Sequence, residues 1–407
     1  LSASFIWSVN TLFLLKAGLD LFGVFLANAV FTAAMCLFEI PTGVFADTRG
    51  RKFSFLMCTV FLFVGTLGYA SASWFGGGLL AFCLMSVVLG LGFTFYSGAV
   101  EAWVVDELKV EGYQGSLDKL FSRGGMIPAA SMVLGSVLGG VLGQVNLSLP
   151  YVCRSAALFI LFFFALGFMR ERGFTPVRGG AQGFWSRAKG IATASAQYGW
   201  KVRGVRYLLL EGLSRSSFGI WGFYASQPYL LGKLGDMKAV WLAGAMTAAL
   251  ALSTMAGNSL VGLARRLGGR RTSLLMAAAA ISALACLGLS FAGSFVAAFA
   301  AILLMTLFQG LFTPVRQAFL NELIPSSQRA TVLSFDSLVG DGGAIVGQTG
   351  LGWVSKGYGL GAGYLGGSIL LAGALPFLLL LRRLGSPADR RADQEAAAAP
   401  APASSGE

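Results

Sequence analysis

Residues 43–52 of the chain read GVFADTRGRK, and residues 262–271 read GLARRLGGRR. Both stretches follow one pattern. A Gly is followed four residues later by Asp or Arg, three residues after that by a second Gly, and then directly by two basic residues. The two copies are 219 residues apart. A second similarity, Asp-Glu-Leu at 106–108 and Asn-Glu-Leu at 321–323, has an offset of 215 residues. Two nearly equal offsets indicate a duplicated chain whose halves share one structure.

The composition excludes an ordinary soluble enzyme. Hydrophobic residues make up 56% of the chain and charged residues only 12%, whereas soluble globular proteins carry roughly 25% charged residues. The chain has no His, and its five Cys lack the spacing of a metal or redox motif. We therefore predict no metal site, no cofactor and no enzymatic activity, since no Ser or Cys lies beside a plausible base.

Around the repeated stretches the chain consists of long apolar segments. About 20 apolar residues cross a bilayer, and lipid offers no partner for free backbone groups, so such segments are predicted to be helices. Twelve of them are predicted, at 1–15, 21–43, 53–73, 77–104, 124–146, 150–169, 207–230, 239–262, 272–291, 294–318, 332–354 and 362–381.

The twelve segments divide into two groups of six, which predicts an all-α polytopic membrane protein built from two pseudo-symmetric six-helix bundles. The N-terminal bundle covers 1–169, and its short first helix is expected to be truncated. A basic linker covers 170–206, and the C-terminal bundle covers 207–384. Residues 385–407 are rich in Ala, Pro, Ser and charge and are predicted to form a disordered tail.

Basic residues set the predicted orientation. They concentrate in alternate loops and in the linker at 170–206, while the other loops hold only Lys16, Arg154, Lys233, Lys238 and Lys356. The positive-inside rule then places both termini in the cytoplasm, for a multi-pass protein of a bacterial inner membrane. The formal charge of +12 is thereby explained by topology. The expected partners are the lipid bilayer and a small-molecule substrate, with no nucleic acid.

The stretch at 43–52 resembles the signature loop of the major facilitator superfamily, in Gly43, Asp47, Gly50, Arg51 and Lys52. The stretches FEIPTG at 38–43, RQAFLNELIP at 316–325 and QRATVLSFD at 328–336 resemble its drug-efflux-like members, which are drug:proton antiporters. The resemblance implies a transporter that works mostly as a monomer. It also implies that the signature loop latches the two halves on the cytoplasmic side in the outward-open state.

Two antiporter features of that family are absent here. The fourth segment has no Arg ahead of its glycines at 90 and 92, and the fifth, with Gly135 and Gly139, has no Gly-Pro step. Transport without proton antiport therefore stays open as an alternative.

The residues of the signature loop suit a gate. Gly43 and Gly50 permit close approach and a tight reversal, and Asp47 can accept hydrogen bonds from the N-terminal amides of a neighbouring helix. We predict that Arg51 pairs with Asp106. Because the second copy has Arg266 where the first has Asp47, only the first copy is expected to latch in this way. The alternative is that the basic residues only anchor the loop in the cytoplasm.

Ionisable residues inside predicted helices are costly, so the carboxylates there are candidates for proton coupling. They are Asp341, Glu211, Glu101 and Glu39. Asp341 lies nearest the midplane, about 14 Å into its segment, and a structural ion pair is the alternative role. Glu211 and Arg215 are four residues apart on one helical face, so they either pair with each other or take part in coupling. Glu39 lies near the cytoplasmic surface, where a structural or gating role is favoured.

Glu101 and Arg316 occupy matching positions in the two halves, separated by the same offset of 215 residues. Opposite charges at symmetry-related places predict an ion pair between the halves, and substrate binding by Arg316 is the alternative.

Polar side chains on several segments are candidates for a substrate cavity, although any one of them is more often a helix–helix hydrogen bond. The candidates are Asn10, Asn28, Tyr96, Arg215, Tyr224, Gln227, Gln309 and Arg316.

The leading hypothesis is a secondary active transporter that exports a small amphipathic organic compound by alternating access, coupled to proton influx, as in multidrug resistance. The proton gradient would then be the driving force. The alternative is uptake or facilitated efflux of a specific metabolite, such as an anion held by Arg215 or Arg316. A receptor or scaffold on the same fold is a third class, for which the sequence offers no added domain.

Overall fold

The computed structural model describes residues 1–113, 115, 124, 126–174, 193, 199–266, 269–325 and 328–389. Most of the predicted linker and most of the predicted tail lie outside these residues. The described part is helical throughout, joined by turns and short loops.

The N-terminal half contains eight described helices, several of them interrupted where the backbone leaves helical geometry. The first segment breaks at Val9, and Gly50 and Gly98 have positive φ angles of 107° and 69° that separate consecutive helices. The helices are α1 (Ser4–Trp7), α2 (Asn10–Lys16), α3 (Leu21–Arg49), α4 (Arg51–Trp74), α5 (Gly78–Tyr96), α6 (Ala99–Val110), α7 (Met126–Val145) and α8 (Leu149–Phe168).

The C-terminal half is built in the same way. The helices are α9 (Arg203–Leu234), α10 (Val240–Ser259), α11 (Val261–Arg266), α12 (Arg271–Ser290), α13 (Phe295–Leu323), α14 (Arg329–Ala372) and α15 (Ala374–Arg383). Gly359 breaks α14 with φ 83° and ψ 166°. A β-carbon on Gly363 would come within 2.4 Å of the Ser355 hydroxyl, so the chain folds back on itself at this break.

The prediction of an all-helical, multi-pass membrane protein is confirmed. Nine helices in the described residues are long and apolar enough to cross a membrane, and one of them, Thr331–Arg383, contains the break at Gly359. α9 is not among the nine, because its charged and polar residues, Glu211 and Arg215 included, lower its hydropathy. The count of twelve spans and the division into two bundles stay predictions.

Successive long helices run in opposite directions and give the bundle two ends. The basic end carries Arg51, Lys109, Arg203, Arg271 and Arg382, and it is the predicted cytoplasmic side. The opposite end carries the turns between α2 and α3, α4 and α5, α7 and α8, α9 and α10, and the break in α14.

The two halves contact each other near the opposite end. A β-carbon on Gly140 would lie 2.7 Å from the Cα of Gly244, and one on Gly352 would lie 2.8 Å from the Phe25 side chain. Small residues permit this close approach of helices in lipid. These contacts close the interior toward the opposite end.

An ion pair between the halves adds to this closure. The Lys356 ammonium lies 2.8 Å from Asp20 Oδ2, and Asp20 Oδ1 accepts a hydrogen bond of 2.7 Å from the Gly23 N–H at the start of α3. The hydrogen bond with Lys356, and then that with Gly23, lower the pKa of Asp20. Both side chains are about half exposed, so the pair contributes little stabilisation.

We expect acid to open the opposite end. The ionised Asp20 carboxylate stabilises the closed opposite end above the ordinary Asp pKa of about 3.9. This stabilisation is lost as the pH falls through the lowered pKa of Asp20. Distances between spin labels at Phe75→Cys and Met237→Cys in a cysteine-free background should therefore lengthen below about pH 4, with a population shift of less than about fivefold. An Asp20→Asn/Lys356→Gln variant that kept the same pH response would contradict this.

An equivalent helix-capping contact occurs once in each half. The N–H groups of Arg51 and Lys52, at the start of α4, donate hydrogen bonds to Glu171 Oε1, at 3.2 Å for Lys52. The N–H and hydroxyl of Thr272, at the start of α12, donate to Asp389 at 2.8 and 2.9 Å. Each acid lies after the last α-helix of its own half, with Asp389 in the short 3₁₀ helix Pro387–Asp389, so the structure supports the duplication inferred from the sequence.

Candidate functional site

The signature loop forms the predicted ion pair. Arg51 Nε lies 3.1 Å from Asp106 Oδ2, which joins the start of α4 to the end of α6. Gly50 turns the chain between α3 and α4, and a β-carbon there would lie 2.6 Å from the Glu171 carboxylate. The ammonium of Lys52 donates a 2.8 Å hydrogen bond to the Leu166 carbonyl. The role of this cluster as a gate stays a prediction.

Two expectations for the loop differ from the structure. Asp47 is exposed and, among the described residues, forms no hydrogen bond or ion pair; Glu171 accepts the helix N-terminal amides instead. Gly43 has no atom within 4 Å of where its β-carbon would lie. The physical reason for the first difference is that Glu171 already occupies the N-terminal amides of α4.

The second copy of the loop also forms an ion pair, while the expectation that only the first copy latches the halves stays a prediction. Arg271 Nη2 lies 2.5 Å from Glu322 Oε1, at the start of α12 and the end of α13. By the spacing of the repeat these residues correspond to Lys52 and Glu107. The side chain of Arg266 lies outside the described residues.

A cavity of about 460 Å³ lies between the two halves, and we refer to it as the aromatic cavity. Its walls come from α1, α2, α3, α4, α5, α7 and α8 of the first half and from α9 and α14 of the second. The predicted cavity residues Asn10, Asn28 and Tyr224 line it. They are joined by aromatic and polar side chains that include Trp7, Phe31, Tyr69, Phe93, Phe223 and Gln348.

Arg154 also lines the aromatic cavity, whereas its place in the sequence predicted a loop position. It lies inside α8 with 1% of its surface exposed. Its Nε and Nη2 atoms are buried without a hydrogen-bond partner in the described part of the chain, and its Cζ lies 6.0 Å from the centre of the Phe93 ring. The signal in the sequence that Arg154 lies inside the membrane is its place within the sixth apolar segment, 150–169. Because it lies near the start of that segment, a position in the adjoining loop was favoured instead.

A hydrogen-bonded chain supports the cavity wall. The Tyr151 hydroxyl donates to Asn10 Oδ1 at 2.8 Å, and Asn10 Nδ2 donates to Asn28 Oδ1 at 3.1 Å. Asn28 Nδ2 has no partner among the described residues. Gln348 donates to the Thr32 hydroxyl at 3.1 Å, and its own oxygen is likewise unpartnered.

Two predicted cavity residues lie elsewhere. Gln227 is 2% exposed and donates a 2.7 Å hydrogen bond to the Trp7 carbonyl, which the break between α1 and α2 leaves free. Its role is therefore a contact between the halves. Tyr96 is 49% exposed at the end of α5 and lies outside the aromatic cavity.

A buried ion cluster joins three helices of the C-terminal half. Arg316 Nε lies 2.5 Å from Glu211 Oε2, and Arg316 Nη2 lies 2.7 Å from Asp336 Oδ1 and donates to the Leu208 carbonyl at 2.8 Å. Arg215 Nε lies 3.2 Å from Glu211 Oε1, which is the pairing that the sequence predicted as one option.

The predicted ion pair between Glu101 and Arg316 is wrong. Glu101 is exposed on α6, and Arg316 turns to α9 and α14 within its own half. Asp336, the second partner of Arg316, was missed as a site residue, because its position close to the start of the eleventh segment resembled an end of the helix.

Asp341 lines a second cavity of about 300 Å³, the ionic cavity, together with Arg215, Gln309, Arg316 and Asp336. Asp341 lies on α14, close enough to Glu39 on α3 for the two carboxylates to repel each other. Gly219 and Ile220 line both cavities, so the ionic cavity adjoins the aromatic one. Candidates for coupling and for substrate binding are thus neighbours.

Comparison with solved structures identifies this architecture. A mutant of the nucleoside transporter NupG superposes with a TM-score of 0.75 at 13% identity, covering 94% of this chain and 96% of that one. A D-xylose-proton symporter gives 0.68 at 13% identity, covering 93% of each chain. Residues 214–405 match the profile of the Major Facilitator Superfamily. The chain shares the fold of these transporters.

A sequence relative agrees with this result. The uncharacterized MFS-type transporter YxaM of Bacillus subtilis (strain 168) is 24% identical over 172 residues, which are 42% of this chain. The match spans 41% of the relative's length. These relatives are transporters and not enzymes, in agreement with the prediction from the sequence.

Proposed function

We propose that the protein is a secondary transporter that exports a small amphipathic organic compound by alternating access, in exchange for protons. The observation that carries this proposal is the aromatic cavity between the halves, with side chains of both halves in its walls. Contacts such as Gly140 with Gly244 close it toward the opposite end. Rocking of the halves about the cavity would expose it to each side of the membrane in turn.

The walls of the cavity fit an amphipathic substrate. Phe31, Phe93 and Phe223 offer apolar rings, while Asn28 and Gln348 each present an unpartnered polar atom. Ligand sites commonly combine such an apolar lining with a few polar groups that fix orientation.

Proton coupling is proposed at Asp341. Its carboxylate lies in the ionic cavity, beside the aromatic cavity and opposite Glu39, so binding a proton would relieve repulsion across the interface between the halves. Glu211 is a weaker candidate, because Arg215 and Arg316 both pair with it. The proposal also includes a monomer in a bacterial inner membrane with both termini in the cytoplasm.

Flux measurements in proteoliposomes test the proposal. We would use 2-naphthoate, 2-naphthamide and 2-naphthylmethylammonium, which share one ring system and differ in charge, and subtract the flux of protein-free liposomes. Proton antiport predicts protein-dependent accumulation on the acidic side of an imposed pH gradient. Flux that ignored the gradient would favour facilitated transport instead. No protein-dependent flux of any of the three would contradict a transporter and favour a receptor or scaffold.

Asp47 is proposed as part of a cytoplasmic gate that closes when the halves meet at the basic end. We expect Asp47→Asn to slow transport severalfold while substrate affinity changes by less than about twofold, because a group that acts only in the closed gate does not touch substrate. Flux and equilibrium binding would be measured on the same preparation. Asp236→Asn, an exposed loop variant, is the matched control, and a change in affinity alone would contradict the gate.

A second candidate function is transport of an anionic metabolite without proton antiport. The unpartnered guanidinium of Arg154 in the aromatic cavity favours it.

A further inference from the structure

Resting on the proposed transport function, we infer that the aromatic cavity is a binding site for an organic monoanion with a ring-bearing apolar body, whose acidic group is held by the guanidinium of Arg154. The residues that the sequence favours for holding an anion are Arg215 and Arg316. Both of those side chains already pair with carboxylates.

The state of Arg154 requires an anionic partner. The side chain is 1% exposed, and its Nε and Nη2 atoms have no hydrogen-bond acceptor among the described residues. Its contact with the Phe93 ring, at 6.0 Å, does not supply one. A buried charge is costly unless a counter-charge and hydrogen bonds accompany it. A carboxylate or sulfonate offers both, since it accepts two parallel N–H bonds from a guanidinium.

The charge balance of the cavity selects against a cation. Arg154 is the one charged side chain among the described residues that line the aromatic cavity. In the adjoining ionic cavity, Asp336 is paired with Arg316. Asp341 lines the ionic cavity and not the aromatic cavity, and Gly219 and Ile220 border both. A positive field in a cavity with low-dielectric walls raises the local concentration of anions.

The remaining walls define the body of the ligand. Phe31, Phe93 and Phe223 provide ring faces and edges, and Met35 and Met132 provide adaptable apolar surface. A volume of about 460 Å³ lies within the range of sites for small organic ligands. The unpartnered Asn28 amide is a second donor on the same wall, suited to a further acceptor on the ligand.

The site also involves both halves. Arg154 belongs to α8 of the first half, and Tyr224 enters the cavity from α9 of the second. An anion between these side chains would therefore contact both halves at once. Such a contact couples occupancy of the site to the relative position of the halves.

Calorimetric titration of the purified full-length protein tests the inference with the three naphthalene probes. We expect 2-naphthoate to bind at least tenfold more tightly than 2-naphthamide, and 2-naphthylmethylammonium to bind most weakly. Arg154→Gln should remove the preference for the anion while affinity for the amide stays within twofold, and Arg154→Lys should retain part of it. Arg382→Gln, which removes an exposed charge at the basic end, should leave the preference unchanged.

Three results would overturn the inference. They are a wild-type preference for the amide or the ammonium compound, no binding of any probe, and a preference for the anion that survives in Arg154→Gln. Retention volume in size-exclusion chromatography and the thermal midpoint establish whether the variants are folded. If Arg154→Gln is not folded, the preference for the anion is measured in Arg154→Lys, where we expect it to be reduced.

The flux measurements separate this inference from the proposed function. Binding of 2-naphthoate through Arg154 without protein-dependent flux would contradict transport and leave the anion site standing. Protein-dependent flux of the amide or ammonium probe without binding of 2-naphthoate would leave transport standing and overturn the anion site.

Discussion

Glu211→Gln is expected to lower the free energy of unfolding by about 3–5 kcal/mol, the cost of breaking a buried ion pair by removing one partner. Glu211 is fully buried and accepts from Arg316 at 2.5 Å and from Arg215 at 3.2 Å. The substitution keeps the shape of the side chain but leaves two guanidinium groups beside one remaining carboxylate, that of Asp336. Unfolding by SDS in mixed micelles, followed by circular dichroism, would measure the loss.

Two comparisons make this test specific. Glu101→Gln removes the same charge from an exposed position and is expected to change stability by less than about 0.5 kcal/mol. The double variant Glu211→Gln/Arg215→Gln restores the balance of charge and should be more stable than Glu211→Gln alone, because paired residues in one network are not additive. Equal losses for Glu211→Gln and Glu101→Gln would show that the cluster does not stabilise the fold.

Asp341→Asn is expected to abolish the substrate accumulation that a pH gradient drives. The amount of accumulated substrate should then fall to the amount found in protein-free liposomes. The amide cannot take up a proton, and a carrier without its titrating group can equilibrate substrate but cannot concentrate it. Counterflow, in which labelled substrate exchanges for unlabelled substrate at equal pH, should persist. The pair of measurements therefore separates loss of coupling from loss of transport.

Asp236→Asn is the matched control for this variant, since Asp236 lies in the exposed turn after α9. Folding of Asp341→Asn is expected to remain intact, because the substitution removes repulsion from Glu39 and breaks no ion pair within the described residues. Coupling retained in Asp341→Asn would place the proton site elsewhere, and Glu39→Gln would be the next variant to measure.

Local chemistry was well predicted where a single segment carries it. Apolar segments of about 20 residues predicted membrane helices because lipid leaves the backbone no other partner. The pairing of Arg51 with Asp106 followed from their positions at neighbouring helix ends, and that of Glu211 with Arg215 from their spacing of four residues. Each of these inferences needs only one helix or one end of the bundle.

The partners of buried charges were less predictable. Symmetry of position favoured a pair of Glu101 with Arg316, yet Arg316 contacts Glu211 and Asp336 on two other helices. Arg154 was assigned to a loop because it lies close to the start of its apolar segment. Neither hydropathy nor spacing records how far a helix is rotated about its axis, and that rotation decides which residues face the interior.

The sequence by itself determined the membrane class, the repeat and the alternation of basic loops, since these depend on the length, composition and order of segments. Only the tertiary structure decided that Arg154 lines the cavity unpaired, that Gln227 bridges the halves, and that Glu171 and Asp389 cap equivalent helices. The physical reason is that helices in lipid associate through shape and individual hydrogen bonds. Such contacts join residues more than a hundred positions apart, and no local pattern along the chain encodes them.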